Sequence, residues 1–471
     1  MLYRFRSVER LLNDRELQDN YFYFASPSQQ NDPMEGYVDF YWKGDKIAWL
    51  GLFKHYAWQL YMTEMLASLG VELETLEKLY LTVTEIGLKE MKLHEVRKEI
   101  EKELLGDSFF YEIAEILEQS NHEFSIIEVQ HILFLLHFRF LKYVSQRTKS
   151  DFGLEVLNVD FEKEATYIGE LEIKAFVEVF SNNSNSEDIS EIVETAVYSF
   201  GLFLHTIAAE TEFYEDRKKF LFFMMDFPKV YVKRIQDLSF PNWYCVCFNK
   251  NVSNPALWGY YANSHKGVCL VFKNDEKGYF KVKPMNKEQE KEQGKTELEV
   301  YEVKYGTSPI RIEFFSGLGR LWDDERKHWL MHDNKYSIIW KEIQSNADIW
   351  RESYNKNSMD RLLRKSKAWE EEQEYRIILD DSWYPHKDDN QRMFQYDFND
   401  LDGIIFGINT PLEQKLEIIN IITDKCVAEK RKQFTFYQAT YDSEKNYIVY
   451  KPVSFINHGI KTIVQNETKG K

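Results

Sequence analysis

The chain has 471 residues, of which 44% are apolar and 16% aromatic, and its net charge is −17. This length and apolar content allow two or three domains. The negative charge disfavours broad binding to nucleic-acid phosphates and to anionic membrane surfaces. The four cysteines are too few for a disulfide scaffold, and no apolar run reaches the roughly 20 residues that span a bilayer. Because the first residues also lack the apolar core of a signal peptide, we expect a cytoplasmic protein with reduced thiols and no membrane contact.

Residues 1–48 are predicted to be compact and rich in β-structure. Leu2–Arg6 suits an opening strand, and the dense aromatic run Tyr21–Ala25 suits a buried strand. The sequence Asn-Asp-Pro follows at 31–33 and is typical of a turn, since an aspartate side chain readily accepts a hydrogen bond from the backbone two residues on.

Residues 49–235 have a different character. Proline is nearly absent, and apolar residues recur three and four positions apart. That spacing is typical of one face of a helix, and it is evident in Glu90–Leu105, Ile126–Tyr143 and Ile189–Ala208. We therefore predict an all-helical insertion over residues 49–235.

The β-character returns after residue 235, with predicted strands that include Val268–Phe272 and Tyr375–Leu379. We predict the fold class α+β. Both ends of the chain, residues 1–48 and 236–460, would form one discontinuous domain with a small mixed or antiparallel sheet, which the helical insertion interrupts. Residues 461–471 are predicted to be a frayed tail.

Four blocks of sequence stand out along the predicted sheet domain. In chain order they are Leu2-Tyr3-Arg4-Phe5-Arg6, Asn31-Asp32-Pro33-Met34-Glu35, Trp258-x-x-Tyr261-x-x-x-His265-x-Gly267 and Trp369-x-x-Glu372-x-Glu374-x-Arg376. Together these blocks resemble a bacterial family known as domain of unknown function 2971. The resemblance covers about the first 45 residues and about 240–425, and the helical insertion has no counterpart in it.

The fourth block suggests chemistry. Glu372 and Glu374 are two positions apart, so on a strand they would share one face with Arg376. Two close carboxylates raise the pKa of one of them, which suits acid–base work or the stabilisation of a cation. This arrangement is also similar to the catalytic element of ADP-ribosyltransferases. The similarity implies that NAD is the substrate, that Glu374 stabilises the ribosyl cation, and that Glu372 orients or deprotonates the acceptor.

The same similarity implies NAD-binding roles for residues of the other blocks. Arg4 would hold the pyrophosphate with its forked donors, and His265 would bind a ribose hydroxyl. Trp258, Tyr260 or Tyr261 would stack on a ring of NAD. The expected protein is an ADP-ribosyltransferase or NAD glycohydrolase that acts in bacterial stress or as a toxin in phage defence, with a protein or a nucleic acid as acceptor.

Each block also has a purely structural interpretation. A Glu-x-Glu-x-Arg face is most often a solvated sheet edge with salt bridges. Trp258 and Tyr261, three apart on a short helix, could pack as core, and His265 could stabilise a turn. The Asn-Asp-Pro block could be only a turn. Arg4, on a buried strand, needs a partner, and one of the two glutamates could provide it.

The competing functional hypothesis is a non-catalytic sensor or interaction protein, in which the helices of 49–235 bind a partner protein. A pocket that gathers Arg4, His265 and Glu374 would favour the enzyme. A Glu374 that faces solvent without an aromatic wall would favour the interaction protein. No metal is expected, because His328 and His332 lack the glutamate that the zincin motif requires beside its first histidine.

Overall fold

The protein is described by a computed structural model that covers residues 1–79, 81, 93–152, 214–273, 278–306, 308–382, 384–386 and 388–453, with isolated positions between 175 and 206. The chain folds into two compact units. The sheet unit consists of Met1–Tyr37, Asn242–Ser308 and Met359–Lys471. The helical unit consists of Val38–Pro241 and Pro309–Ser358. The protein is therefore α+β.

The main sheet of the sheet unit has eight strands in the described residues, and both ends of the chain contribute to it. In spatial order the strands are Tyr447–Pro452, Thr435–Asp442, Leu401–Phe406, Val268–Phe272, Leu2–Arg6, Trp243–Asn249, Glu374–Asp380 and Tyr301–Glu302. Leu401–Phe406 and Thr435–Asp442 pair in parallel and the other neighbours pair antiparallel, so the sheet is mixed. Below, Leu2–Arg6 is the opening strand, Trp243–Asn249 the cysteine strand and Glu374–Asp380 the glutamate strand.

The central strands are apolar because both of their faces are covered. Val268–Phe272 is buried at every position, and the cysteine strand is buried at all but one. A continuous apolar run is what two-sided burial requires, in contrast to the alternation of a half-exposed strand. On one face Phe22 packs edge-on against Phe248 at 5.6 Å, and on the other Phe5 packs edge-on against Trp258 at 5.0 Å.

The remaining elements of the sheet unit are smaller. A four-stranded antiparallel sheet has the order Tyr21–Tyr23, Met393–Tyr396, Tyr279–Pro284 and Thr296–Glu299. Lys304–Tyr305 and Arg364–Lys365 form a short parallel pair. The α-helices are Val8–Asn13, Glu16–Asp19, Pro255–Tyr261, Lys287–Gln293 and Leu412–Ala428, and the 3₁₀ turns are Pro27–Gln29, Arg361–Leu363, Lys367–Glu372, Asp389–Arg392 and Phe398–Asp400.

The helical unit packs around the helix Lys46–Ser68, which is buried on nearly every side from Ala48 to Glu64. Asp45 caps this helix by accepting a hydrogen bond from the Ala48 N–H at 3.0 Å. The other helical segments are Leu73–Leu76, His94–Leu105, Ser108–Ser120, Ile126–Phe152, Tyr214–Leu221, the π-helical turn Phe222–Asp226, Phe227–Ile235, the 3₁₀ turn Gln236–Leu238, Asp323–Leu330, Ile338–Ser345 and Ala347–Asp360, whose last residues cross into the sheet unit. The strands are Val38–Trp42, Phe124–Ser125, Ile310–Glu313, Met331–His332 and Lys335–Tyr336.

The division of the chain differs from the predicted one. The segment 309–358 belongs to the helical unit, because Ile310–Glu313 pairs in parallel with Val38–Trp42 and Trp329 packs on His55 at 4.4 Å. The insertion is also not all-helical, since Phe124–Ser125 forms the third strand of that small sheet. Helices were correctly predicted within 90–105 and 126–143. The predicted helix 189–208 lies mostly outside the described residues, and the predicted tail 461–471 lies wholly outside them.

Within the described residues, no helix combines the length and the apolar character that crossing a membrane would require.

Candidate functional site

The candidate site lies where two neighbouring strands of the main sheet separate. In the described residues, the opening strand pairs with the cysteine strand at one position, Tyr3 with Asn249. At Cys245 the cysteine strand no longer pairs with the opening strand and forms a bridge with Ala25. A pocket of about 490 Å³ opens in this gap, which is large enough for a small-molecule ligand.

The pocket lining is mostly polar and comes from five parts of the sheet unit. It consists of Arg4, Phe5, Arg6, Ser7, Glu9 and Arg10; Tyr23, Ala25, Gln29, Gln30 and Asn31; Cys245, Val246, Cys247 and Asn249; Tyr260, Tyr261 and Asn263; and Lys365, Glu372 and Glu374. The fold therefore brings residues of all four sequence blocks to one place, with Asn31 as the member of the second block.

Three glutamates, a lysine and an arginine form a buried ion cluster at this pocket. Arg376 is 0% exposed and donates to Glu374 Oε1 from Nε at 2.6 Å and to Glu35 Oε1 from Nη2 at 2.8 Å. Lys365 Nζ donates to Glu372 Oε2 at 2.7 Å and to Glu374 Oε2 at 2.8 Å. It also lies 3.6 Å from Glu35 Oε1. These five residues are called the ion cluster below.

The ion cluster divides its carboxylates into two kinds. Burial raises the pKa of Glu374, but the charges of Arg376 and Lys365 outweigh burial and hold that pKa below its usual range. Burial is the largest effect on Glu372 and on Glu35, and the pKa of each is raised. Three carboxylates and two cations leave one excess negative charge when all are ionised, so the cluster favours uptake of a proton or approach of a cation.

Tyr261 holds Glu372, the first glutamate of the Glu-x-Glu pair, in position. Its hydroxyl donates to Glu372 Oε1 at 2.5 Å, and Asn249 Nδ2 donates to the Glu372 carbonyl at 3.1 Å. Burial, with the nearby charge of Glu372, raises the pKa of Tyr261, so the phenol stays a donor. The predicted shared strand face is only partly correct. The strand begins at Glu374, whereas Glu372 ends a 3₁₀ turn and Gln373 between them has a left-handed φ of 46°.

A second part of the pocket lining comes from residues 4–10 and contains three arginines beside one acidic residue, Glu9. Arg4 and Arg6 share Glu16, with N···O distances of 3.7 Å and 2.9 Å. Two guanidinium groups on one carboxylate leave a positive charge. The buried Arg4 Nη1 has no hydrogen-bond partner among the described residues, and the Arg4 guanidinium lies 5.2 Å from the centre of the Phe22 ring. Arg10 adds an exposed third guanidinium. This wall suits an anionic ligand group.

The structure brings some of the predicted site residues together and separates others. Arg4, Tyr261, Glu372 and Glu374 all line the pocket. Trp258 is fully buried, and its indole N–H donates to the Val252 carbonyl at 2.8 Å. Its ring is core, as the structural interpretation had it, and it is not placed to stack on a ligand.

The imidazole of His265 is likewise not part of the pocket lining. His265 has a left-handed φ of 66°, and its backbone bonds to Trp258 and to Asn409 hold a turn before the strand Val268–Phe272. The structural interpretation therefore fits His265. The predicted partner of Arg4 was wrong, because Glu16 pairs with Arg4 and neither glutamate of the Glu-x-Glu pair does.

Two other structural interpretations have clear outcomes. The interpretation of the Glu-x-Glu-x-Arg face as a solvated sheet edge is wrong, because the side chains of Glu372, Glu374 and Arg376 are buried. The Asn-Asp-Pro turn is confirmed, since Asp32 Oδ1 accepts a hydrogen bond from the Met34 N–H at 2.9 Å. Sequence reasoning missed Lys365, Glu16 and the role of Glu35. Only Glu35 carried a signal, because it ends the Asn-Asp-Pro block.

Two cysteines also reach the pocket. Cys245 and Cys247 are free thiols with sulfur atoms 3.6 Å apart. The Cys245–Cys247 hydrogen bond, with burial, raises the pKa of Cys247 well above its ordinary value, so the thiol stays protonated. The part of the chain that the structure describes contains no group of three or more His, Cys, Asp or Glu side chains that could hold a metal ion.

The fold and site define an α+β protein with a polar pocket beside a buried ion cluster. A family model described as protein of unknown function (DUF2971) matches residues 257–377. The match includes Tyr261 and the glutamate strand as far as Ile377, but not the opening strand or residues 49–235. Comparison with curated proteins and with solved structures gave no match. The comparisons thus support the family resemblance in this region and give no support to a similarity to ADP-ribosyltransferases.

Proposed function

We propose that the protein binds NAD in this pocket and transfers its ADP-ribosyl group to an acceptor or to water. The acceptor would be a protein or a nucleic acid, and the setting a bacterial stress response or phage defence. One observation carries the proposal: the pocket lining holds charged groups of both signs. The carboxylates include Glu372 and Glu374, and the guanidinium groups are those of Arg4, Arg6 and Arg10. NAD has a cationic nicotinamide ring and an anionic pyrophosphate, so its two charges match these two kinds of group.

The residues support a glycosyl-transfer chemistry. The C–N bond between nicotinamide and ribose breaks, and its electron pair leaves with the ring, which becomes neutral. The positive charge then resides on the ribose, and Glu374 stabilises it because two cations keep that carboxylate ionised. The acceptor oxygen forms a new bond to the same ribose carbon. Its proton passes to Glu372, which Tyr261 holds in position.

Aromatic side chains would hold the ring. Tyr260 lines the pocket and is 70% exposed, and its ring lies 6.3 Å from that of Trp369. Tyr261 is the second tyrosine of the lining. In this proposal Tyr260 and Tyr261 take the stacking role that was predicted for Trp258, because Trp258 is buried in the core.

The test is NAD consumption by the purified full-length chain, with a cell lysate as the source of acceptor. We expect the wild type to consume NAD and to transfer label from labelled NAD. Glu374→Gln should slow turnover about 100-fold or more, the cost of losing one electrostatic stabiliser of a transition state. Glu372→Gln should reduce transfer by a similar factor, since general-base catalysis contributes about 10²–10⁴-fold.

A matched control is Glu371→Gln. Glu371 is exposed, lies next to Glu372 and does not line the pocket. This variant should keep the wild-type rate, and circular dichroism should show that all variants are folded. A folded wild type that neither binds nor consumes NAD would reject the proposal.

One observation favours a second function, a non-catalytic sensor or interaction protein. Both oxygens of Glu374 already have ion-pair partners, Arg376 and Lys365, as in a cluster that only stabilises the sheet unit. The helices of 49–235 would then bind a partner protein. In that case Glu374→Gln lowers the melting temperature, while NAD is neither bound nor consumed by any variant.

A further inference from the structure

The ion cluster contains a glutamate that the proposed chemistry does not use. Glu35 follows the turn that Asp32 and Met34 form, and its side chain is buried against Arg376. It does not line the pocket, whereas Lys365 and Glu374 of the same cluster do. Its role follows from counting charges and hydrogen bonds in the cluster.

The three carboxylates differ in how fully their oxygens are bonded. Glu372 accepts from Tyr261 on one oxygen and from Lys365 on the other. Glu374 likewise has a donor on each oxygen. Glu35 accepts from Arg376 on Oε1, but its buried Oε2 has no partner among the described residues. A buried ionised oxygen without a donor is costly, and protonation removes the charge that makes it so.

A proton that neutralises the excess negative charge of the ion cluster is therefore expected to bind to Glu35. We propose that Glu35 holds one exchangeable proton for the ion cluster, and that this proton leaves when a cationic ring enters the pocket. The second part rests on the proposed function, in which the nicotinamide of NAD is the cationic ring. Glu35 is a positioning residue in this scheme, because it acts on the ligand only through Lys365 and Arg376.

The groups around Glu35 explain the coupling. Arg376 and Glu374 on the glutamate strand and Lys365 on its short strand act on Glu35 directly. Lys365 in turn interacts with Glu372 and Tyr261, and Arg376 interacts with Cys245 and Cys247. Asp32 lies three residues before Glu35 on the same segment. Cys247 and Tyr261 stay neutral, since the pKa of each is raised. A cation beside Glu372 and Glu374 supplies the positive charge that the proton had supplied, so the cluster binds its proton less tightly.

The first experiment tests the proton on the ligand-free protein. Infrared difference spectroscopy near neutral pH compares the carbonyl band of protonated carboxyl groups in the wild type and in Glu35→Gln. We expect one protonated-carboxyl band to disappear in the variant. Glu35→Asp keeps an acid on a shorter side chain and should retain the band with a changed pH midpoint. This second variant keeps the test decisive if Glu35→Gln does not fold. Glu64 and Glu313 also have raised pKa values and contribute bands of their own, so the outcome that would overturn the first part is a Glu35→Gln spectrum with the same total protonated-carboxyl absorption as the wild type.

The second experiment tests release of the proton. Titration calorimetry with NAD in two buffers of different ionisation enthalpy measures the protons released per ligand bound. We expect the wild type to release close to one proton per NAD bound at the pH where release is greatest. Glu35→Gln should release close to none. Glu313→Gln, which changes a half-buried glutamate of the helical unit, is the control and should behave as the wild type. NAD that binds without proton release overturns only the displacement. NAD that does not bind overturns both the displacement and the proposed function, while the infrared result still decides the proton on Glu35.

Discussion

A buried glutamate in the helical unit gives a prediction that is independent of any function. Glu64 lies on the helix Lys46–Ser68 and is 0% exposed. Its Oε1 accepts a hydrogen bond from the Ser145 hydroxyl at 2.7 Å, and the side chain of Thr148 also favours the charged form. Burial raises the pKa of Glu64 to about 7, from an ordinary value of 4.5. The substitution Glu64→Gln keeps the size of the side chain and removes its charge.

The sign of the effect follows from proton binding. Between about pH 4.5 and pH 7 the folded protein keeps a proton on Glu64 that the unfolded chain has lost, so stability falls as pH rises through this window. At about 1.4 kcal/mol per pKa unit, the full loss is about 3 kcal/mol. Glu64→Gln does not titrate. It should therefore match the wild type near pH 4.5 and be more stable than the wild type at pH 8 by up to about 3 kcal/mol.

The assay is urea unfolding followed by tryptophan fluorescence at several pH values from 4.5 to 8. Glu313 is a half-buried glutamate whose pKa is raised to about 7 by burial, so part of the pH dependence should remain in Glu64→Gln. Glu112→Gln, at an exposed position of the same unit, should leave the wild-type dependence intact. If the stability of Glu64→Gln and of the wild type changes in parallel with pH, the carboxyl is not the buried acid described here.

Two further predictions concern close contacts. Tyr261→Phe removes the hydroxyl that donates to Glu372, so the pKa of Glu372 should rise further, and the acidic limb of the pH profile for NAD turnover should move to higher pH. An unchanged profile in an active variant would show that Glu372 is not the base. Gly51→Ala should destabilise the helical unit by about 1–3 kcal/mol in thermal or urea unfolding, because an added Cβ would lie 2.0 Å from the Trp329 carbonyl oxygen. Gly259→Ala, where a Cβ meets nothing within 4 Å, is the matched control and should not lose stability.

Local patterns predicted the elements of the fold well. The apolar run Val268–Phe272 is a strand buried on both faces, and the helical spacing within 126–143 marks the helix Ile126–Phe152. These predictions succeed because burial imposes a period on the sequence that depends only on the local backbone. The spacing of Glu372 and Glu374 also drew attention to two residues that do meet in the structure, although a left-handed residue between them breaks the expected strand.

The candidate site depended much more on tertiary structure. Lys365 bridges Glu372 and Glu374, and nothing in its neighbouring sequence distinguishes it from a solvated lysine. Glu16 takes Arg4 as its partner because its helix follows the opening strand, and Glu35 joins the ion cluster through the turn that precedes it. The charge of each group can be read from its type, but the partner that compensates the charge cannot.

The sequence by itself therefore determined the α+β class, the contribution of both chain ends to one sheet, and the acidic pair. Each of these follows from the types of residue, from the spacing of the apolar residues, or from the order of the sequence blocks. Tertiary structure alone decided where the two strands separate to form the pocket, and which cations the acidic pair meets. It also decided that 309–358 joins the helical unit, through the parallel pairing with Val38–Trp42. The physical reason is that strand order and ion pairing join residues that are distant along the chain, and local spacing carries no record of such distances.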